Sequence, residues 1–265
     1  MLVLITGAAG RIGTMVRPRL RAEGVSLRLM DVMAPTDLQD GEETIVGSVT
    51  DRRVLTDAMH GVDAVVHLAG IAAEAAWGDT LDANVTGTQS VLQSAVDAGV
   101  TRLVLASSNH AAGFWTRSEA AERGLPADVA ARPDTFYGWS KAAGEALARL
   151  YHDRFGIDVV ALRIGSSSAE PPDVRALSTW LSPRDTAELI WVALRDPRAA
   201  GFHIVWGVSA NTRRWWSSAE GEAIGYTPKD DAEAYAAALL ADAVWDTTDP
   251  TLFLVGGLFC RSPLG

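Results

Sequence analysis

Residues 2–13 read Leu-Val-Leu-Ile-Thr-Gly-Ala-Ala-Gly-Arg-Ile-Gly. A short apolar run is followed at once by glycines in a G-x-x-G-x-x-G spacing, then by a helical pattern over 11–23. Few architectures use that order. Gly7 permits a tight turn out of a strand, Gly10 lets the main chain approach a pyrophosphate, and Gly13 lets helix and strand pack closely. The helix start behind them offers amides and a partial positive charge to phosphate. A glycine-rich turn alone carries little weight; the strand before it and the helix after it supply the required context.

The remainder of the chain repeats the alternation. The pattern predicts strands at 26–30, 43–47, 62–68, 101–106, 157–164 and 202–206, and helices over 51–60, 80–98, 137–155 and 184–195. Continuous apolar strands joined by helices specify a parallel sheet covered on both faces. The expected fold class is therefore α/β, a Rossmann-type doubly wound parallel sheet with ligands at the carboxyl ends of its strands. The 265 residues are enough for a single domain with a full core. Within it, 1–165 read mainly as the dinucleotide-binding core. Residues 166–265, less regular and rich in tryptophan (Trp206, Trp215, Trp216), read as a small substrate-covering lobe interleaved with the last strands. The polar, alanine-rich stretch 117–133 reads as a surface loop near the mouth of the site.

Charge narrows the partners. A formal net charge of −10 repels nucleic acid and anionic membranes, so neither is expected, and an anionic substrate must be held by a local cation against the global field. The one cysteine, Cys260, provides neither an internal disulfide nor a cysteine zinc site, and suggests a reducing compartment. The opening apolar run is too short for a signal-peptide core and no run approaches a membrane span, so the cytoplasm is the expected location. His60, His67, His110, His152 and His203 show no paired ligand spacing, and the acids no calcium-loop pattern; no metal is expected.

Asp31 ends the second strand, 18 residues after Gly13. A carboxylate there accepts ribose hydroxyls and repels a 2′-phosphate, favouring NAD over NADP. Arg11 and Arg28 are nearby cations that soften the preference. Further on, Phe-Tyr-Gly-Trp-Ser-Lys at 136–141 sets Tyr137 and Lys141 at i and i+4, on one face of a helix. A phenol with a pKa of about 10 is a poor base at neutral pH. A nearby ammonium and a positive nicotinamide ring favour the phenolate. On an arbitrary helix the pair is common and solvated. It gains meaning beside a dinucleotide loop and a third polar group, which Ser107-Ser108-Asn109-His110 provide at the end of strand 101–106. There Ser108 can hold a reacting oxygen while Tyr137 takes or gives its proton, although a serine pair at a strand end also serves as a cap.

Together TGAAGRIG (6–13), HLAG (67–70), Asn84 followed by Gly87-Thr88, the strand-end serines and Tyr137-x-x-x-Lys141 resemble the extended, sugar-modifying short-chain dehydrogenases/reductases over 1–165. The resemblance implies an NAD site. It is formed by Gly7, Gly10, Arg11, Ile12 and Gly13 on the loop and Asp31 on the ribose, with Ser48 and Val49 after the third strand. Leu68, Ala69, Gly70 and Asn84 follow, and Tyr137, Lys141 and Ile164 complete it. A further set resembles, through nearly the whole chain, the branch of that family that oxidises free uronic acids. It comprises ASSNH (106–110), ARPDTFYGWSK (131–141), LRIGSSSAEPP (162–172), Arg175, LSTW (177–180) and IVWGVSAN (204–211). It implies NAD-dependent oxidation of a hexuronic acid, D-galacturonate or D-glucuronate, at C1 to the aldarolactone. Ser108, Tyr137 and Lys141 are the implied catalytic set, with Tyr137 as base. Arg175 would grip the substrate carboxylate as a bidentate fork, with Ala72, Asn109, His110 and Ser166 around the sugar. Family members commonly self-associate, and helices 80–98 and 137–155 are the natural surfaces for a homo-oligomer.

Two positions depart from the family. Ser48 stands where an acid usually contacts the adenine, and Ala72 where a serine can meet the substrate. Read without the resemblance, Arg175 also suits the surface of a proline-rich loop, and His110 a structural role. A sugar-nucleotide epimerase or dehydratase shares the fold and the Tyr–Lys pair, but needs a larger C-terminal part than this length leaves. A non-catalytic NAD-binding sensor would keep the glycine loop but has no use for an activated phenol. Phe114, Trp115, Trp180 and Trp206 read as core aromatics rather than a sugar platform.

Overall fold

The computed structural model describes residues 1–265. Seven parallel strands form one sheet in the order β3-β2-β1-β4-β5-β6-β9. They are β1 (Leu2–Thr6), β2 (Ser26–Asp31), β3 (Glu42–Val46), β4 (Ala64–His67), β5 (Arg102–Ser108), β6 (Asp158–Ile164) and β9 (Phe202–Gly207). A separate two-residue pair joins β7 (Ser166–Ser167) to β8 (Trp180–Leu181). The apolar runs of the central strands follow from burial on both sides, whereas the edge strand β3, Glu-Glu-Thr-Ile-Val, is not buried. Val3 and Ile5 face one cluster with Val16 and Leu20 of α1 (Arg11–Ala22) and Leu189 and Ile190 of α6 (Pro183–Arg195). Leu4, Val65, Leu103 and Leu105 face the other, with Leu55 of α2 (Arg52–Met59), Val91 and Leu92 of α4 (Gly87–Asp97) and Ala148 and Tyr151 of α5 (Phe136–Phe155). The order reverses between β1 and β4, which opens a crevice at the carboxyl ends of the strands. No helix is long and apolar enough to cross a membrane.

Three features depart from the sequence pattern. The expected strand 101–106 runs on to Ser108, with Ser107 and Ser108 registered against Arg163 and Ile164 of β6, so the serines belong to a strand rather than a loop. The single helix expected over 80–98 is three linked pieces: α3 (Trp77–Thr80), a π-helical turn (Leu81–Thr86) and α4. Within that wider turn the Asn84 side chain points inward, and its Oδ1 accepts from the Ile71 amide at 2.7 Å. Its Nδ2 donates to the Ile71 carbonyl (3.0 Å) and to Ser140 Oγ (2.9 Å), fastening the chain after β4 to α5.

The third departure is 117–133, which is not merely a surface loop. Leu125 and Ala127 are fully buried against Trp206, Trp215 and Trp216. Leu125 exchanges main-chain hydrogen bonds with Trp215 and Ser217, and its carbonyl accepts from the Trp206 indole at 2.8 Å. The polar composition hides two buried apolar side chains and a set of main-chain acceptors. The carbonyls of Ala127 and Val129 satisfy Arg163 Nη1.

Candidate active site

A cleft of about 860 Å³ lies at the carboxyl ends of β1, β2, β4, β5 and β6. One end of it is the glycine loop. Gly7 sits at φ +72°, and its α-carbon is so close to the Leu68 and Ala69 main chain that a side chain would collide. Gly13 abuts Ala8 as closely, which brings α1 against the strand. No side chain caps α1, so its first-turn amides stand open to a phosphate. Asp31 lines the cleft and is fixed in place: its Oδ2 accepts from the Ala9 amide at 2.9 Å. Ser48, Val49, Leu68, Ala69, Gly70 and Ile164 line it as well. Ser48 Oγ shares a 2.8 Å hydrogen bond with Thr50 Oγ1 in the turn into α2, so this hydroxyl is part of a turn rather than a substitute for the missing acid. A cradle of this shape, amide-rich at one end and carrying a strand-end carboxylate, fits a dinucleotide.

Asn84 is a correction. It is not among the residues facing the cleft, and both ends of its amide are committed to Ile71 and Ser140. It shapes the cofactor site through the 70–71 main chain rather than by contact. Val32 and Met33, by contrast, line the cleft without having been singled out from the sequence, and they are 66% and 72% exposed. Two large apolar residues directly after a strand-end carboxylate are the signal that marks them: an uncovered flat surface beside a ribose-binding group suits a heteroaromatic base.

At the other end stand Ser108, Tyr137 and Lys141. Thr135 caps α5 by accepting from Gly138 N at 3.0 Å, and this sets the phase of the helix that carries the tyrosine and lysine. Tyr137 is buried, and burial raises its phenol above the ordinary value. The neighbouring Ser108 hydroxyl opposes that shift; Asp134 adds to it, and Arg11 opposes it. The ammonium expected near the phenol stands close to it without a hydrogen bond to it. The lysine Nζ lies 5.7 Å from the ring centroid and donates to the Ala106 carbonyl at 3.0 Å. Burial pulls the Lys141 ammonium down to about 8, with Glu145 pulling the other way. In the free protein Lys141 is thus expected to be cationic below about 8 and neutral above it, instead of titrating near the usual ~10.4. The pH dependence of its acylation rate, with Lys141→Arg as the blank, measures this; a lysine still unreactive well above that pH would refute it.

Behind this set lies a buried ion pair that the sequence pattern does not show. Glu145, one turn beyond Lys141 on α5, accepts from Arg163 Nε (2.9 Å) and Nη2 (2.8 Å) and from Ser107 Oγ (2.5 Å). Arg163 is 1% exposed. The pair ties α5 to β5 and β6 at the level of Ser107, and so helps fix the spacing between Tyr137 and Ser108.

Ala72, Asn109, His110 and Ser166 line the cleft. Asn109 Nδ2 donates to the Val255 carbonyl at 2.9 Å, and His110 Nδ1 lies 2.6 Å from Asp134 Oδ2. Arg175 is not on the cleft surface itself but directly behind Ser166. Its Nη1 donates to Ser166 Oγ (3.2 Å) and Thr179 Oγ1 (3.3 Å), and its Nη2 to the Val255 carbonyl (2.5 Å). Its Nε, buried against Gly257, has no partner. Burial pulls the guanidinium below its ordinary value, and no carboxylate lies within ion-pair distance. The bidentate grip expected from the sequence is therefore not preformed, since the fork is engaged by two hydroxyls and a carbonyl. One carbonyl, that of Val255, receives hydrogen bonds from both Asn109 and Arg175. The local clue to it is the Gly256-Gly257 pair, where the main chain has to pass close to Asp134 and Arg175.

Residues 3–171 match the sequence pattern of the NAD dependent epimerase/dehydratase family. The chain belongs to that family. Within it, the chain is 39% identical over 259 residues to a uronate dehydrogenase of Pseudomonas putida, covering 97% of this chain and 94% of that protein. It is similar to the crystal structure of a uronate dehydrogenase variant from Agrobacterium tumefaciens complexed with NAD: 37% identity, TM-score 0.91, 99% of this chain and 97% of that one. It is also 36% identical over 251 residues to an NAD-dependent glucose-6-phosphate dehydrogenase of Haloferax volcanii, covering 88% of this chain and 95% of that protein.

Proposed function

We propose that this protein oxidises a hexuronic acid, D-galacturonate or D-glucuronate, at C1 to the aldarolactone, with NAD as cofactor. The observation that carries the reading is Arg175: a buried guanidinium without a carboxylate partner, joined through Ser166 to the edge of a cleft that holds Tyr137. In a chain of net charge −10 such a cation calls for an anionic ligand group. A carboxylate taking up the Ser166 side of the fork fixes the ring, and so directs the opposite end of the sugar to the phenol.

NAD, bound along the glycine loop and Asp31, supplies the hydride acceptor and a positive ring that favours the phenolate. Tyr137, as phenolate, removes the C1 hydroxyl proton. Ser108 donates to the reacting oxygen and keeps it beside the phenol. Lys141, held on the Ala106 carbonyl, keeps a positive charge near the site. The Glu145–Arg163 pair maintains the distance between helix and strand. The lactone so formed is neutral at the reacting end and hydrolyses in water.

A substrate screen tests the reading. Purified protein with NAD is expected to raise NADH absorbance with galacturonate and glucuronate. Little or no signal is expected with glucose, glucose 6-phosphate or UDP-glucose. Equal rates on glucuronate and glucose would overturn the substrate class, and a preference for glucose 6-phosphate would reassign the anion that Arg175 serves. The single cysteine supports a reducing, cytoplasmic setting as part of the same proposal. Self-association belongs to it too, supported by Trp77 of α3, which is 46% exposed and packs against Phe136 and Trp139 at the start of α5.

A further inference from the structure

His110 does not stand alone in the cleft. Its Nδ1 lies 2.6 Å from Oδ2 of Asp134, whose side chain is wholly inaccessible. A buried carboxylate is costly unless its oxygens are matched, and here the matches are few. Asp134 Oδ1 accepts from Thr135 Oγ1 at 2.9 Å, and the thiol of Cys260 lies 3.9 Å from Oδ2. Gly113, Gly138 and Gly256 close around the carboxyl group so tightly that a β-carbon on any of them would collide with it. Asp134 therefore has one place to sit, with Oδ2 toward the imidazole. The ring is held as firmly, packed at a tilt against Phe259 at 4.2 Å between centroids and edge-on to Tyr137 at 5.7 Å. Its Nε2 has no protein partner, and His110 lines the cleft beside Ser108 and Tyr137.

We propose that Asp134 is a positioning residue that fixes the tautomer of His110, and that Nε2 thereby accepts a hydrogen bond from one hydroxyl of the sugar acid. The proposal rests on the uronate reading above, in which His110 already lies around the sugar, and adds to it the residue that sets how that histidine meets a hydroxyl. A carboxylate accepts only, so the proton of the neutral ring resides on Nδ1 and the Nε2 lone pair faces the cleft. Fixing a ring tautomer through the nitrogen remote from the ligand is what carboxylate partners do for histidines in metal and catalytic sites. The arrangement makes His110 a selector: a hydroxyl in reach is accepted, and an analogue lacking it leaves the lone pair without a donor.

Two measurements on the full chain test this. In the first, two-bond ¹⁵N–¹H spectra of histidine-labelled protein should show His110 as the Nδ1–H tautomer, and in Asp134→Asn, where an amide can donate to Nδ1, as the Nε2–H tautomer. A ring protonated at both nitrogens in the native protein, or an unchanged tautomer in D134N, overturns the proposal. In the second, kcat/KM is measured with glucuronate and with its mono-deoxy analogues. The native protein should lose about tenfold on one analogue, the scale of a single hydrogen bond. D134N should lose a similar factor on glucuronate, yet no more on that analogue. Additive losses overturn the proposal. If D134N does not fold, His110→Phe keeps the packing against Phe259 and removes Nε2; it should abolish the penalty on the same analogue, and a penalty that persists overturns the proposal equally. Through all of this the preference for uronate over neutral glucose should stand in D134N, because Arg175 is untouched. If the native protein lacks that preference, the uronate reading fails first, and separately.

Discussion

Tyr137→Phe is expected to lower kcat on a hexuronic acid by about 10²–10⁴-fold, the range for removing a positioned general base, while leaving NAD affinity nearly intact. The substitution deletes one oxygen from a buried ring and leaves its packing against His110 unchanged. Ser108 lines the cleft beside the lost oxygen, so the reacting hydroxyl keeps a donor and loses its proton acceptor. Calorimetric titration with NAD, run beside steady-state rates, separates the two effects. A protein that only senses NAD would be indifferent to the change in any activity-linked readout, and a variant retaining native turnover would remove Tyr137 from the mechanism. The direction of the tyrosine's shift adds a second readout. Because burial raises the phenol in the free protein, the phenolate fraction grows as pH rises toward that raised value. Oxidation should accordingly climb on the alkaline side, and this limb should disappear from the residual activity of Y137F.

The parts of the site that are legible in the sequence are those whose chemistry is local. The glycine loop is written in seven consecutive positions between a strand and a helix. Tyr137 and Lys141 are one helical turn apart. The parallel sheet shows itself because strands buried on two faces must be apolar throughout, as Leu103, Val104 and Leu105 are. What is not legible is carried by partners far apart in the chain. Asn109 and Val255 are 146 residues apart, and nothing near Asn109 announces that its amide is taken. Arg163 reads as a polar residue at the end of a strand until Glu145 is found opposite it on α5. Asp134 lies in the stretch that resembles known enzymes, but its role depends on three glycines from different segments closing around it. The π-helical turn is not legible for the same reason, since it turns Asn84 inward onto Ile71 and Ser140, which lie 13 and 56 residues away. The burial of 117–133 was masked for a related reason, as main-chain carbonyls do the anchoring there and side-chain composition does not record them.

Arg175→Ala should reduce kcat/KM for glucuronate on the order of 10²–10³-fold, within the span of about 2–5 kcal/mol for removing one partner of a desolvated, hydrogen-bonded charge pair. The slow oxidation of glucose, which has no carboxylate, should hardly change, so the ratio between the two substrates collapses. Three features support so large an effect. The guanidinium is already desolvated, so a substrate carboxylate gains a partner that water screens little. Its present partners on the cleft side are the neutral hydroxyls of Ser166 and Thr179, which an anion outcompetes. The Val255 carbonyl holds Nη2 from behind, which keeps the guanidinium beside Ser166 and leaves Nη1 as the arm on the ligand's side. Losing Arg175 also leaves that carbonyl with Asn109 as its remaining side-chain donor, so the variant's thermal midpoint needs checking beside its kinetics. Arg175→Lys separates charge from shape. Lysine keeps the charge but not the planar pair of donors, and should recover only part of the loss. NAD affinity measured on both variants should match the native protein, because the glycine loop and Asp31 are contributed by other elements. If R175A instead loses glucuronate and glucose activity in equal proportion, the arginine supports the architecture alone, and the carboxylate must be read by another group.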